Sequence, residues 1–398
     1  MNLGREARGF TLTELLVGLV VTAIVAAGAL SLLVGQQRAF KGSASDRAMQ
    51  ESARAALSEM GMNLRRAGYG VDPWLAFDFG PLTNTPTTNE SYSSGPPGGT
   101  RVSCSGSPVA CRDSTTASDE IVFYARDPGF SRRLQAAPTG TTLTFATPLS
   151  VPLLAGQILQ LMCSGGADRA YVTVASTASN LLSVTLDTSL SGTFPFQQDR
   201  ISSGCFTRTF GSAAVFKVDR FHYFVATYAD PAHPSGRPYL MLDRGLTDAS
   251  GPLVEPVAPD IEDLQFAYVF RTNGTVVGST AGTRLANATG GVNLAAIPPA
   301  YDAESTDAAR DTNSPANIRA VRASVVVRNP IYTPEFNRGA DLVIPAAANR
   351  AANASGPAGY RRILVETTAA TRNLDSRTPF MPPYSSNNGT DGLNVGGG

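Results

Sequence analysis

The chain has 398 residues, with 32 basic and 32 acidic side chains and therefore no formal net charge. This length is enough for one large hydrophobic core or two smaller ones, and the charge balance gives no general attraction to nucleic acid or anionic lipid. Charged residues make up only 16% of the chain, whereas glycine, proline, serine and threonine are frequent. Such a composition is typical of a loop-rich extracellular β protein.

The first element combines a short polar leader, residues 1–9, with a long apolar helix. Phe10 opens an apolar run that reaches Val34 and contains a single charge, Glu14. A helix of about 25 residues is about 37 Å long and can cross a bilayer. A lone carboxylate in such a helix needs a partner and indicates a functional position.

The start of the chain resembles the class III signal of type IV pilins and pseudopilins, in which Phe-Thr-Leu-x-Glu-Leu directly follows a glycine. The matching residues are Gly9, Phe10, Thr11, Leu12, Glu14 and Leu15. The resemblance implies that a prepilin peptidase cleaves between Gly9 and Phe10, that the new terminal amine is methylated, and that Glu14 pairs with the amine of a neighbouring subunit. Phe10 and Glu14 are one helical turn apart and share a face. The alternative is an ordinary signal peptide cleaved near Ala27-Gly28-Ala29.

The helix is predicted to continue beyond the membrane as an amphipathic outer half, residues 35–67. Apolar residues recur there at steps of three and four, which predicts a stripe that packs on the protein's own domain. Gly68 follows as a stop signal, and Gly42-Ser43-Ala44-Ser45 is a candidate bend. The stripe consists of Met49, Ala53, Ala56, Leu57, Met60 and Leu64.

The rest of the chain is predicted to be mostly β structure. Residues 68–118 are turn-rich and are expected to form a long loop. Short apolar runs separated by turns then predict an inserted β subdomain at 119–212 and a β-sheet domain at 213–375, while the tail 376–398 has little to bury. The predicted strands are 121–124, 143–145, 158–161, 171–174, 182–186, 214–218, 221–225, 239–242, 261–268, 318–327 and 363–367.

A narrower resemblance runs through the second half of the chain. Val257–Tyr268, Ile318–Arg328, Thr367 and Arg372–Leu374 are similar to segments of PilW-type minor pilins. The expected fold is therefore α+β and pilin-like: a long N-terminal transmembrane helix packed on an antiparallel β-sheet, with a large loop and an inserted small β subdomain.

The same resemblance implies a structural and assembly protein of bacteria. PilW-type pilins join other minor pilins, the major pilin and a PilY-type adhesin at the pilus tip, help to initiate assembly, and so support adhesion and motility. The protein would be anchored in the inner membrane by one helix, with a periplasmic C-terminal domain, and would then become extracellular. Its length supports a rare or terminal position in a filament. The rivals are a GspJ-like pseudopilin of type II secretion and a surface adhesin or DNA-uptake binding module.

Four cysteines in a translocated domain predict disulfide bonds. Cys104–Cys111 and Cys163–Cys205 are the favoured pairs, although sequence alone does not choose among the three possible connectivities. A zinc site is the rival, but no Cys-x-x-Cys spacing is present.

Catalytic and cofactor motifs are missing from the sequence. It contains no P-loop, no Gly-x-Ser-x-Gly and no His-Glu-x-x-His, so we expect no enzyme, no cofactor and no metal. His222 is predicted to be a packed or hydrogen-bonded histidine and not a general base. The acidic group Asp260, Glu262 and Asp263 is predicted to lie on a solvated strand edge, and Arg319, Arg322 and Arg328 on the exposed face of an edge strand.

Overall fold

In the computed structural model, one long helix lies against two antiparallel β-sheets. The structure describes residues 11–73, 76–78, 99–101, 117–163, 169–187, 213–231, 233–272, 275–277, 318–333, 343–347, 350, 352 and 356–375. The leader 1–9, Phe10 and the tail 376–398 lie outside these ranges. The predicted fold class, a long N-terminal helix packed on an antiparallel sheet, is confirmed.

Helix α1 runs from Leu12 to Leu64 without interruption, including through Gly42–Ser45. It begins at Thr11, whose extended backbone and side chain cap the first turn. It ends before Gly68, which has a φ of 76° and lies where a β-carbon would come 2.8 Å from Leu374. A glycine is therefore required at this point for both its backbone conformation and the close approach.

The strands are distributed between two sheets and are followed by one short helix, α2 (Arg372–Asp375). In the described ranges the strands are β1 (Phe77–Asp78), β2 (Gly99–Arg101), β3 (Ile121–Arg133), β4 (Thr142–Thr144), β5 (Ile158–Met162), β6 (Arg169–Thr177), β7 (Ser183–Leu186), β8 (Ala214–Asp230), β9 (His233–Asp248), β10 (Gly251–Pro259), β11 (Ile261–Thr272), β12 (Thr275–Val277), β13 (Ile318–Arg328) and β14 (Arg362–Ala370).

The larger sheet is organised around β8, the longest strand. Its main path is β1-β3-β8-β5-β6-β7-β4, with β2 and β9 also paired to β8 and β10 paired to β9. The smaller sheet has the order β12-β11-β13-β14. The predicted loop 68–118 thus contributes two short strands, because β1 pairs with β3 and β2 pairs with β8.

The main core lies between the outer half of α1 and both sheets. The predicted helical stripe is confirmed: five of its members are buried, and Leu57 packs against the same core. Side chains from β3, β8, β9, β11, β13 and β14 meet this stripe, as does Leu374 of α2. The buried stripe members are Met49, Ala53, Ala56, Met60 and Leu64.

A second core lies among β4, β5, β6 and β7, and Val215 of β8 also contributes to it. This cluster falls within the segment 119–212 that was predicted to be an inserted subdomain. However, the first residues of β3, Ile121 and Phe123, pack in the main core, and β3 pairs with β8 across the predicted boundary at 212–213. One sheet therefore connects the two predicted regions, and the division into domains stays a prediction.

Candidate functional site

The first turn of α1 is closed by reciprocal hydrogen bonds between Thr11 and Glu14. The backbone N–H of Thr11 donates to Glu14 Oε2 at 3.0 Å, and the Thr11 hydroxyl donates to the same oxygen at 2.9 Å. In return, the Glu14 N–H lies 3.4 Å from Thr11 Oγ1. This capping box satisfies donors that the start of a helix leaves unpaired. It also fixes the carboxylate at the tip of the helix.

Sequence analysis did not predict that Thr11 caps the helix, although the sequence contains the pattern for such a cap. A threonine followed three residues later by a glutamate, just before an apolar run, is the sequence pattern of a capping box. The Glu14 carboxylate therefore has two functions available to it. It completes the helix cap within its own chain, and it presents negative charge to any amine that approaches the tip.

The first half of α1 is apolar and exposed on every side. Leu12 is 82% exposed, Ile24 67% and Val34 47%, and α1 contains a stretch long and apolar enough to cross a membrane. Its apolar side chains would be costly to leave in water, since each exposed leucine or valine forgoes about 1.5–3 kcal/mol of burial. This half of the helix is therefore suited to lipid or to neighbouring helices.

The exposed half gives way to the packed half near residue 46. Arg361, just before β14, donates to both carboxylate oxygens of Asp46 at 2.7 and 3.0 Å. At the other end of the packed half, the Asn373 side chain donates to the carbonyls of Arg65 and Ala67. These contacts hold the outer half of α1 on the sheets and leave the N-terminal half projecting freely from the domain.

A sequence profile for the prokaryotic N-terminal methylation motif matches residues 4–30. The chain carries this methylation motif at its start. The match spans Gly9, Phe10 and Glu14, and the motif implies processing by a prepilin peptidase and membrane anchoring before assembly. Gly9 and Phe10 lie outside the described residues, so cleavage between them stays a prediction.

Comparison with solved structures finds a likeness to a type IV-like pilin, TTHA1219 from Thermus thermophilus. The sequence identity is 14%, the TM-score is 0.19, and the alignment covers 56% of this chain and 88% of that chain. No curated protein matches the sequence.

Of the predicted disulfide cysteines, the structure describes only Cys163. It is buried directly after β5 and is disulfide-bonded. Cys104, Cys111 and Cys205 lie outside the described residues. The connectivity Cys104–Cys111 and Cys163–Cys205 therefore stays a prediction.

His222 is buried and hydrogen-bonded, as predicted. Its Nε2 lies 2.9 Å from Glu120 Oε2, while its Nδ1 lies 3.7 Å from Asp243 Oδ2. Arg220 also reaches Asp243 at 3.3 Å and holds the pKa of that carboxyl well below its usual range, although burial opposes this effect. Inside the sheet, Arg220 offsets the negative charge of Asp243, and His222 lies within hydrogen-bond distance of Glu120.

The prediction that the acidic group lies on a solvated strand edge is wrong. Asp260 and Asp263 are buried, at 4% and 3% exposure, and each has an arginine partner. Arg237 donates to Asp260 at 2.9 Å, and Arg350 lies 2.6 Å from Asp263. Each arginine offsets part of the cost of burying the negative charge beside it.

The arginine stripe is also placed differently from the prediction. Its strand, β13, lies between β11 and β14 and is therefore not at an edge. Arg319 is only 5% exposed, while Arg328 stacks over the Tyr360 ring at 4.2 Å from its centroid. The stripe is partly covered by the protein itself.

Proposed function

We propose that this chain is a minor pilin that helps to initiate type IV pilus assembly and occupies a position at or near the pilus tip. This proposal is supported by two features that occur together: the methylation motif, and a helix whose first half is apolar and exposed. A subunit of this kind is stored in the inner membrane and transferred to a helix bundle during assembly. The proposed partners are other minor pilins, the major pilin and a PilY-type adhesin.

The size of the outer part supports a rare or terminal position. Most of the 398 residues follow α1 in the chain, and they form the two sheets of the outer domain. A domain of this size would crowd a filament in which it was repeated at every position. The proposed role is structural, and no step of chemistry is assigned to this protein.

Processing and location can be tested together on the cellular protein. We expect N-terminal sequencing to begin at a methylated Phe10, and we expect sheared filaments to contain this subunit at a small fraction of the major subunit together with a large adhesin. A start near Ser31 would instead indicate an ordinary signal peptide and would overturn the proposal. If the subunit co-purifies with a secretion apparatus and not with pili, the pseudopilin alternative would be favoured.

A further inference from the structure

The final strand of the smaller sheet, β14, has a long free edge in the described part of the chain. Each of its nine residues pairs with β13 in an unbroken antiparallel register. No other described strand pairs with β14. Its residues are half-buried or exposed, except for Ala369, although the Arg362 side chain is buried against Glu262. The middle of the edge is therefore accessible to solvent.

The direction of the free backbone groups follows from the hydrogen bonds at the two ends of the strand. The Thr371 N–H donates to the Arg319 carbonyl, and the Arg361 carbonyl accepts from the Asn329 N–H. The backbone N–H and C=O groups of the odd-numbered residues of β14 therefore point toward β13. In an antiparallel ladder the residues between them face the other way.

Three residues in the middle of β14 thus direct both N–H and C=O outward. They are Leu364, Glu366 and Thr368. Such a row of unpaired groups is a template for another extended segment, and proteins normally shorten or block such edges.

The other terminal strands of the two sheets, in the described ranges, are short or contain proline. β1, β2, β4 and β12 have only two or three residues. β10 is as long as β14, but it contains Pro252, Pro256 and Pro259, which lack the N–H needed for further pairing. β14 has the same length and no proline.

We propose that β14 is a docking edge that receives an extended strand from a different protein. The added strand would pair through main-chain hydrogen bonds, the mode of β-strand addition. Apolar residues on one face of that strand would lie beside Ile363 and Val365, which pack on the main core. An acidic residue at one end of that strand would complement Arg372, which is exposed just beyond β14. An acidic residue at the other end would lie near Arg361, which binds Asp46 through Nη1 but keeps a side chain that is 52% exposed.

A second copy of this chain does not fit this edge. Two identical edges pair symmetrically only as antiparallel strands, related by a twofold axis normal to the sheet. α1 packs across the face of the sheet, so this rotation would point the two α1 helices in opposite directions. Both apolar halves could not then enter the same membrane. This inference uses the membrane anchoring of α1 and goes beyond the proposed position at the pilus tip.

The test uses the full chain purified in detergent and a fluorescent probe peptide, Asp-Val-Thr-Val-Thr-Val-Thr-Val-Asp. We expect the peptide to bind the wild-type protein. Thr368→Pro removes one outward N–H without touching the ladder to β13, and should weaken binding about tenfold. Thr368→Val keeps that N–H and is the matched control, with binding equal to wild type.

Hydrogen exchange supplies a second measurement that does not depend on the folding of a variant. On addition of the peptide, the wild-type amides of Leu364, Glu366 and Thr368 should exchange more slowly, while those of Tyr239–Leu242 should not change. Failure of the peptide to bind wild type, or equal binding by Thr368→Pro, would overturn the proposal. A concentration-dependent dimer that Thr368→Pro abolishes would identify a second copy as the occupant, and would also overturn it.

Discussion

Asp263 shows how a single buried charge makes stability depend on pH. Burial raises the pKa of its carboxyl to about 6, although Arg350 and a hydrogen bond from Gln265 act in the opposite direction. In the unfolded chain the pKa of an aspartate is about 3.9. The folded protein therefore binds this proton more tightly, and the contribution of Asp263 to stability decreases as pH rises from about 4 to about 6.

Arg350→Gln should destabilise the protein in a pH-dependent way. Removal of the cation leaves a buried, uncompensated carboxylate, which costs about 3 kcal/mol when the group is ionised. At pH 5 Asp263 is largely protonated, so the loss of stability should be clearly smaller than at pH 8. Urea unfolding at both pH values measures the difference. Arg361→Gln, which removes the exposed pair with Asp46, is the control and should cost less than about 1 kcal/mol. An equal loss at both pH values for Arg350→Gln would contradict the assignment.

The disulfide of Cys163 can be assigned by peptide mapping under non-reducing conditions. We expect Cys163 to be linked to Cys205, and Cys104 to Cys111. Cys163→Ser should lower the free energy of unfolding by about 3 kcal/mol, because the cross-link restricts the unfolded chain. The same loss should follow from Cys205→Ser, and the double variant should be no worse than either single one. A link from Cys163 to Cys104 or Cys111 would reject this connectivity.

The acidic group illustrates why sequence reasoning misses buried pairs. Asp260 and Asp263 follow one another closely and look like a solvated edge, but their partners, Arg237 and Arg350, are distant in the chain. No local pattern connects them. The Thr11–Glu14 capping box is the opposite case, because both partners lie within one helical turn and their spacing alone predicts the contact.

At the scale of elements, periodicity predicted the outer half of α1 well because a helix repeats one local pattern. Most of the longer strands were also predicted from their local apolar pattern, but two predicted strands proved to be parts of one. Segments 214–218 and 221–225 form a single strand, β8, since Asp219 and Arg220 between them are paired within the fold. β10 was missed because its three prolines argue against a strand, and such a strand is tolerated only at an edge.

The two halves of α1 should respond differently to the same kind of substitution. Met60 is fully buried, whereas Leu32 is 63% exposed. Met60→Ala should therefore reduce the stability of the sheet domain by about 2–5 kcal/mol, through lost burial and a cavity. Leu32→Ala should leave it unchanged. Denaturant unfolding, followed by the fluorescence of the domain in detergent, measures both. A large effect of Leu32→Ala would mean that the first half of the helix packs on the domain.

At the scale of the whole molecule, the helix divides the protein into a membrane part and an outer part that share no core. Residues 12–34 contribute nothing to the main core, which begins at Met49. Sequence alone predicted this division from composition. It did not predict that one sheet joins the regions 119–212 and 213–375, because the pairing of β3 with β8 is a contact between distant segments. Changes at the tip of α1 should consequently affect assembly and leave the outer domain folded.

Glu14→Gln is the sharpest test of this separation. Glutamine keeps an oxygen that can accept the Thr11 hydrogen bonds, so the helix cap should survive while the negative charge is lost. Attraction to a neighbouring amine is far stronger in lipid than in water, so we expect the variant to stay in the inner membrane with few or no subunits in sheared filaments. The unfolding transition of its outer domain should be unchanged.

Thr11→Val is the control, because it removes the hydroxyl part of the cap and keeps the negative charge of Glu14. We expect this variant to enter filaments at close to the wild-type level. Wild-type recovery of Glu14→Gln in filaments would show that the charge is dispensable. An equal defect in Thr11→Val would show that assembly requires the helix cap and not the charge.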